Sequence, residues 1–399
     1  MTLPASRHAR LADHRCEIGG DGIGVSPLTL RPVAVVVVGD LSRSPRMLNH
    51  AHELARTGRP VSLIGLRERE FAAPAGVSVE PLRPWRTLGA WGLAGAAIRM
   101  GLTLLQLLWV LVRRRPAAIL VQNPPAFPTL LAAWMAARLV RALFVVDWHN
   151  YGYSMLALRL GKDHRLTLLA ARHEGWMARR ASRNFCVSQG MRDDLSRRFG
   201  VRAQVLYDRP VECLPSRREG TRLIAVCPAG WTADEDMPLL LDALELLDTR
   251  EIEIHLTGDG PLRAPLEPRI AALRASGWAI HTGFLEETEY RALLGRCHLG
   301  LSLHRSSSGL DLAMKVVDLF AAGVPVCALD FGGSLGEQVS DGETGFLFRT
   351  ASELAGLLAR IAREPSVLGP MRERIGQRWG TTWSEEWRRV AGPVFEGGS

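Results

Sequence analysis

Residues 304–347 read HRSSSGLDLAMKVVDLFAAGVPVCALDFGGSLGEQVSDGETGFL. The run divides into a loop of small polar residues, a helix, a short apolar strand, a glycine turn and a second helix. That order is the repeating unit of a parallel α/β layer. The loop Arg305-Ser306-Ser307-Ser308-Gly309, ending at Asp311, is crowded with hydrogen-bonding groups, as a helix start that holds phosphate requires. Helical spacing from Leu312 sets Lys315 and Asp318 one turn apart near that start. A cation and a carboxylate beside a donor-rich loop suit a diphosphate and a ribose. A capped helix with an exposed ion pair explains the same residues, so the rest of the chain has to decide.

Upstream, the same alternation recurs. Leu223–Cys227, Ile252–Leu256, Ala279–Phe284 and Gly300–Leu303 read as buried strands, with helices between them and a capping box of Thr232 and Glu235 opening the first. The earlier half has its own series. Val33–Val38 is an unbroken apolar strand, followed by a helix from Arg46 to Arg56 and a strand at Val61–Leu66, a βαβ unit. Ala118–Gln122, Leu143–Val146, Asn184–Val187 and Val201–Tyr207 continue it. The expected organisation is therefore α/β: two doubly wound domains, 32–210 and 222–372, joined by a linker at 211–221 and facing a central cleft. Residues 1–31 read as a disordered lead, and 373–399 as a terminal helix that packs back on the first domain. No G-x-G-x-x-G follows the first strand, so a dinucleotide fingerprint is absent.

Composition narrows the function. The 399 residues carry 49 basic and 41 acidic side chains, a net charge of +8, with 47% hydrophobic residues. That mild excess suits phosphorylated ligands or an anionic lipid surface, and no basic-aromatic nucleic-acid motif accompanies it. Only Lys162 and Lys315 are lysines; in a chain that otherwise uses arginine, Lys315 stands out. Six cysteines lie far apart without a CxxC pair, which indicates a reducing, cytoplasmic compartment and no zinc site. Leu93–Val112 is apolar with Arg99 as its one charge, and Arg113-Arg114-Arg115 follow; spanning, surface-lying and core helices all fit it. The basic helix expected at Arg165–Arg183 adds a second element suited to a membrane surface. The sequence carries no signal of oligomeric state.

In open parallel sheets, ligands gather at the carboxyl ends of the strands. Gly39-Asp40, Asp147-Trp148-His149, Gly230-Trp231, Gly258-Asp259-Gly260, His304–Asp311 and Asp330–Gly333 all fall there. Asp147 and His149 are candidates for the base that takes a proton from an attacking hydroxyl, with Asp40 next; a structural pair that orients the loop is the competing reading. Asp234-Glu235-Asp236 lies in a helix's first turn, where acids favour the dipole, so no metal is expected.

Seven stretches carry a family resemblance: GDLSRSPRM (39–47), QNPPAFP (122–128), DWHNYGYSM (147–155), CVSQGMRDDL (186–195), GWTADEDM (230–237), TGDGPL (257–262) and HRSSSGLDLAMKVVDLF (304–320). Through them the chain resembles the chitobiosyldiphosphodolichol β-mannosyltransferase family over nearly all of residues 33–390. The resemblance implies a GT-B fold and inverting transfer of mannose from GDP-mannose to a lipid-diphosphate-linked sugar, with no cofactor or metal. It further implies that Asp318 meets the ribose, that Lys315, Arg305 and Ser306–Ser308 face the diphosphate, and that Gly230 lies beside them. Leu285 would border the base. Gly39, Ser42, Arg43, Arg46, Asn150 and Tyr151 would line the acceptor side. Where the family has an amino-terminal membrane anchor, residues 1–31 here are polar. With the arginine bias, that suggests a bacterial relative, attached peripherally at the inner face of the membrane. Another sugar nucleotide or acceptor on the same fold, as in exopolysaccharide synthesis, and a non-catalytic sugar-nucleotide-binding scaffold are the alternatives.

Overall fold

The computed structural model describes residues 31–85, 92–216, 218 and 222–396; the expected lead at 1–30 lies outside them. Two parallel sheets carry the chain. The first contains β1 (Val33–Asp40), β2 (Val61–Leu66), β3 (Val77–Leu82), β4 (Ala118–Asn123), β5 (Leu143–Trp148), β6 (Arg183–Cys186) and β7 (Gln204–Val205) in the order β3-β2-β1-β4-β5-β6-β7. The second contains β8 (Leu223–Pro228), β9 (Ile252–Thr257), β10 (Ile280–Gly283), β11 (Leu299–Ser302), β12 (Val326–Leu329) and β13 (Gly345–Phe348) in the order β10-β9-β8-β11-β12-β13. Each order reverses once, between β1 and β4 and between β8 and β11, which opens a crevice at the carboxyl ends of those strands. The α/β class and its two doubly wound domains are thus present.

The strands that read as continuous apolar runs are the ones covered on both faces. Val33, Ala34, Val35 and Val36 are fully buried, as are Ile119, Leu120 and Val121 of the neighbouring β4. Side chains alternate across the sheet, so Ala34 and Val36 feed one core and Val33 and Val35 the other. β3 escaped the sequence reading because it lies at the sheet edge and only Leu82 of it is buried.

Two boundaries differ from expectation. Arg31, assigned to the lead, donates to the carbonyls of Arg115 (3.0 Å), Pro116 (2.7 Å) and Val140 (2.6 Å) and so belongs to the first domain. The second domain does not end at 372. Helix Leu368–Trp379 places Ile375 and Trp379 in that domain's core beside Phe320. The chain then crosses back at Thr382, and the Trp383 amide donates to the Pro210 carbonyl at 2.8 Å. Helix Trp383–Val390 sinks Trp383 and Trp387 into the first domain's core against Val33, Val35 and Phe185.

The apolar segment forms helix Gly92–Arg114, long and apolar enough to cross a membrane by length and composition. One stripe of it, Leu107 and Leu111, is fully buried and packs with helix Thr129–Val140 in the first core. Leu105 and Trp109, on the opposite stripe, are 61% and 59% exposed.

Candidate active site

β5 ends in a buried carboxylate, Asp147, on which three side chains converge. Arg46, from helix Pro45–Arg56, donates Nε to Oδ2 at 2.8 Å and Nη2 to Oδ1 at 2.9 Å, a bidentate pair. Its remaining Nη1 donates to the Leu206 carbonyl at 2.9 Å and to Asp208 at 2.8 Å. His50, one turn on, places Nε2 at 3.1 Å from Asp147 Oδ2, and His149 places Nε2 at 2.9 Å from the same oxygen.

The Trp387 indole donates to His50 Nδ1 at 2.9 Å. An indole is donor only, so Nδ1 accepts and the proton sits on Nε2, where it is given to Asp147. The carboxy-terminal helix thereby fixes the His50 tautomer. Burial holds the His50 imidazole below its ordinary pKa, in keeping with a neutral ring. Burial alone would raise the Asp147 pKa, but Arg46 and then His149 outweigh it and hold the carboxyl well below its usual range. Burial also works against the Arg46 charge, and Asp147 and Asp208 reverse that effect and raise its pKa.

This geometry corrects two expectations. Arg46 was placed on the acceptor side, yet it is 2% exposed and commits its donors to Asp147, Asp208 and Leu206. Tyr151, placed there too, is fully buried and packs its ring against Trp148, Tyr153 and Phe199. Of the three candidate bases, Asp147 is itself inaccessible and serves to hold His149, whose side chain is 23% exposed. Asp40 caps the single turn that follows β1: its oxygens accept from the Ser42 amide (3.2 Å) and hydroxyl (2.8 Å). Gly39 and Ser42 are half-buried there, and Arg43 is exposed.

The next loop crosses the cleft. Asn123 holds it by accepting from the His149 amide (2.9 Å) and donating Nδ2 to the Asn150 carbonyl (2.9 Å). Asn150 then donates Nδ2 to Asp311 Oδ1 at 2.9 Å and Ser307 Oγ at 3.2 Å, and the Ser154 and Ser307 hydroxyls lie 2.8 Å apart. The loop after β5 is thus hydrogen-bonded directly to the serine loop after β11. Within the serine loop, Asp311 gathers the chain: Ser306 and Ser308 donate to Oδ1, and His304 Nε2 lies 2.8 Å from Oδ2. Ser306 and Ser308 also accept from the amides of Gly309 and Leu310, at 2.7 and 3.1 Å. Gly309 has φ of 77°, and its carbonyl accepts from the Ser334 amide at 2.9 Å. Gly333 approaches that carbonyl so closely that a Cβ would collide with it, and its own φ is 59°.

Lys315 opens helix Met314–Ala321, and its ammonium pairs with Glu235. Glu235 Oε2 also accepts from the amides of Gly230 (2.6 Å) and Trp231 (2.9 Å). The expected capping box of Thr232 and Glu235 is therefore absent. Asp236 caps helix Met237–Glu245 through the Leu239 amide at 3.3 Å, which frees Glu235 to tie the Gly230 loop to Lys315. Sequence spacing concealed this role because the tie runs across 80 residues. Desolvation lowers the Lys315 pKa from its ordinary value. Arg305 is half-exposed and donates Nε and Nη2 to Asp236 at 3.0 and 2.6 Å. Asp318 lies exposed on the same helix as Lys315. Leu285, expected beside a base, is partly buried against the second domain's core, whereas the preceding Phe284 is 57% exposed.

Comparison with known proteins shows the family. Residues 44–207 match the family model for a glycosyl transferase 4-like domain, and residues 220–364 match that for group 1 glycosyl transferases. Among solved structures, Anabaena HepE in complex with UDP and glucose superposes with a TM-score of 0.67 at 16% identity, covering 92% of this chain and 99% of that one. The sucrose-phosphate synthase of Thermosynechococcus elongatus gives 0.69 at 15% identity, covering 92% and 98%. These show the GT-B fold. The chitobiosyldiphosphodolichol beta-mannosyltransferase of Mus musculus is 32% identical over 92% of this chain and 89% of its own length. The enzyme of that name from Yarrowia lipolytica is 32% identical over 91% and 86%. An Arabidopsis thaliana relative named UDP-glycosyltransferase TURAN is 32% identical over 88% and 95%. The chain is a GT-B glycosyltransferase and belongs to the chitobiosyldiphosphodolichol beta-mannosyltransferase family.

Proposed function

We propose that the protein is an inverting β-mannosyltransferase that moves mannose from GDP-mannose to a lipid-diphosphate-linked sugar. The observation that carries this reading is the bonding of Asn150 and Ser154 to the serine loop. It joins the loop that carries His149 to the serine loop that carries Arg305 and precedes Lys315 and Asp318. His149 Nε2 is engaged by Asp147, which leaves Nδ1 for the acceptor hydroxyl. As that oxygen attacks the anomeric carbon, its proton passes to Nδ1, and the buried Asp147 carboxylate stabilises the imidazolium. The bond to the diphosphate oxygen breaks on the far side, and the departing charge falls to Lys315, Arg305 and the Ser306–Ser308 loop. Asp318 is accessible for the ribose hydroxyls and Phe284 for the base. The scheme requires no metal.

The acceptor's lipid accounts for a feature of the first domain. Of the fifteen large hydrophobic side chains exposed among the described residues, twelve lie between Ile98 and Leu169. They include Leu105, Trp109, Leu139, Leu158, Leu166 and Leu169, with arginines at 99, 113, 114, 138, 159 and 165 among them. Exposed apolar side chains interspersed with arginines suit an anionic membrane, into which one stripe of helix Gly92–Arg114 would dip while the other stays in the core. We place the protein peripherally on the cytoplasmic face.

A donor panel tests the reading. Purified protein is given GDP-mannose, UDP-glucose or UDP-N-acetylglucosamine with a diphosphate-lipid-linked chitobiose, and product is followed by mass and linkage. A β-linked hexose from GDP-mannose alone supports it. Transfer from a uridine donor, which the name of the Arabidopsis relative raises, would overturn the donor assignment.

A further inference from the structure

Three side chains on the outer strands of the second sheet converge away from the cleft residues. Glu253 and His255 are two apart on β9, and strand alternation sends both to one face while Ile252, Ile254 and Leu256 fill the core on the other. β10, the edge strand, pairs in parallel with β9 and sets His281 directly beside His255. The imidazoles stack with centroids 4.6 Å apart at 25°. Both turn Nε2 onto the same carboxylate oxygen: Glu253 Oε1 lies 2.7 Å from His255 Nε2 and 3.5 Å from His281 Nε2. One ligand atom from each of the three residues falls within 4.8 Å of the others.

The geometry points to a site for a divalent transition-metal ion of the zinc class, with Glu253, His255 and His281 as its protein ligands. Tetrahedral zinc with bonds of about 2.0–2.1 Å holds its donors roughly 3.3 Å apart, a spacing that the two measured distances bracket. Two imidazoles and one carboxylate suit zinc better than calcium or magnesium, which take oxygen ligands. His281 is 58% exposed, so the fourth position opens to water. Arg222 and Arg296 exert their charge on this cluster and oppose a second cation, which limits the affinity. Its ligands come from both strands, so an ion here fastens the sheet's edge strand to its neighbour and steadies the turn at Phe284. The inference uses none of the transfer residues and stands independently of the donor and acceptor assignments.

Titration of the chelator-treated full chain with zinc chloride, in parallel with His281→Ala, tests it. Because His281 is exposed, its replacement leaves the fold intact, and because other histidines in the chain can take zinc, the difference between the two proteins is what counts. The expected result is one equivalent bound with Kd at or below about 10 µM, weakened at least tenfold in the variant. Zinc should also slow amide exchange across Ile280–Phe284 in the wild type but not in His281→Ala. Isotherms that coincide within tenfold, or exchange that zinc does not change, would overturn the site.

Discussion

On the first-domain side of the cleft, the Asp147 carboxylate, fully buried, is shared among a buried arginine and two histidines, and the arginine's remaining donors are spent on Leu206 and Asp208. On the second-domain side, Lys315 and Arg305 have side chains 37% and 51% exposed, and each pairs with a carboxylate close by. The first arrangement is closed: its charges satisfy one another and serve to orient a single accessible imidazole. The second is open: its cations are held in place by partners with which an incoming phosphate can compete. Chemistry that takes a proton needs a base fixed in one orientation, whereas recognition of an anionic donor needs cations that can exchange partners.

The contrast can be broken first at Arg46. Arg46→Ala leaves the Asp147 carboxylate buried with only His50 and His149 as partners, and truncating one partner of a buried pair costs roughly 3–5 kcal/mol. Urea denaturation should show that loss; a change under 1 kcal/mol would mean that the cluster is not closed. Lys315→Ala should behave oppositely. Its ammonium is partly exposed, and its buried partner Glu235 keeps the Gly230 and Trp231 amides, so folding should lose less than in Arg46→Ala, yet turnover should fall by about 10²–10³, the scale of a lost transition-state charge contact. Urea denaturation together with initial rates separates the two effects.

A smaller effect sharpens the comparison through pH. The folded-state pKa of His50 is depressed, so as pH falls below its ordinary value of about 6.5 only the unfolded chain takes up that proton. Its contribution to stability is full above pH 6.5 and declines below it; Asp147, also depressed, adds a loss only below about pH 4. The wild type should therefore lose stability between pH 6.5 and 5. His50→Gln, which keeps a donor but cannot titrate, should show a flatter profile in that window, measured as melting temperature against pH.

Much of this was legible in the sequence, and the limits have physical causes. Apolar runs such as Val33–Val38 announced buried parallel strands because both faces are covered. Helical spacing is local, so Lys315 and Asp318 could be set on one helix, but the partner that Lys315 takes is Glu235. The closed cluster could not be read in the same way. Arg46, Asp147, Asp208 and Trp387 come from four separate parts of the chain, so Arg46 looked like a ligand-binding cation and nothing local marked Trp387. Glu235 was misread for a related reason: local spacing suggested a helix cap, and only the folded chain shows it reaching Lys315. Glu253, His255 and His281 likewise meet only through strand register.

The most direct test of the central claim is the transfer rate of His149→Ala, measured with GDP-mannose and the diphosphate-lipid-linked acceptor alongside a GDP-binding titration. The account predicts a fall in kcat of about 10²–10⁴, the contribution of a positioned general base, with GDP affinity unchanged because the donor cations lie on the other domain. A kcat within threefold of wild type, in a folded protein that still binds GDP, would contradict it.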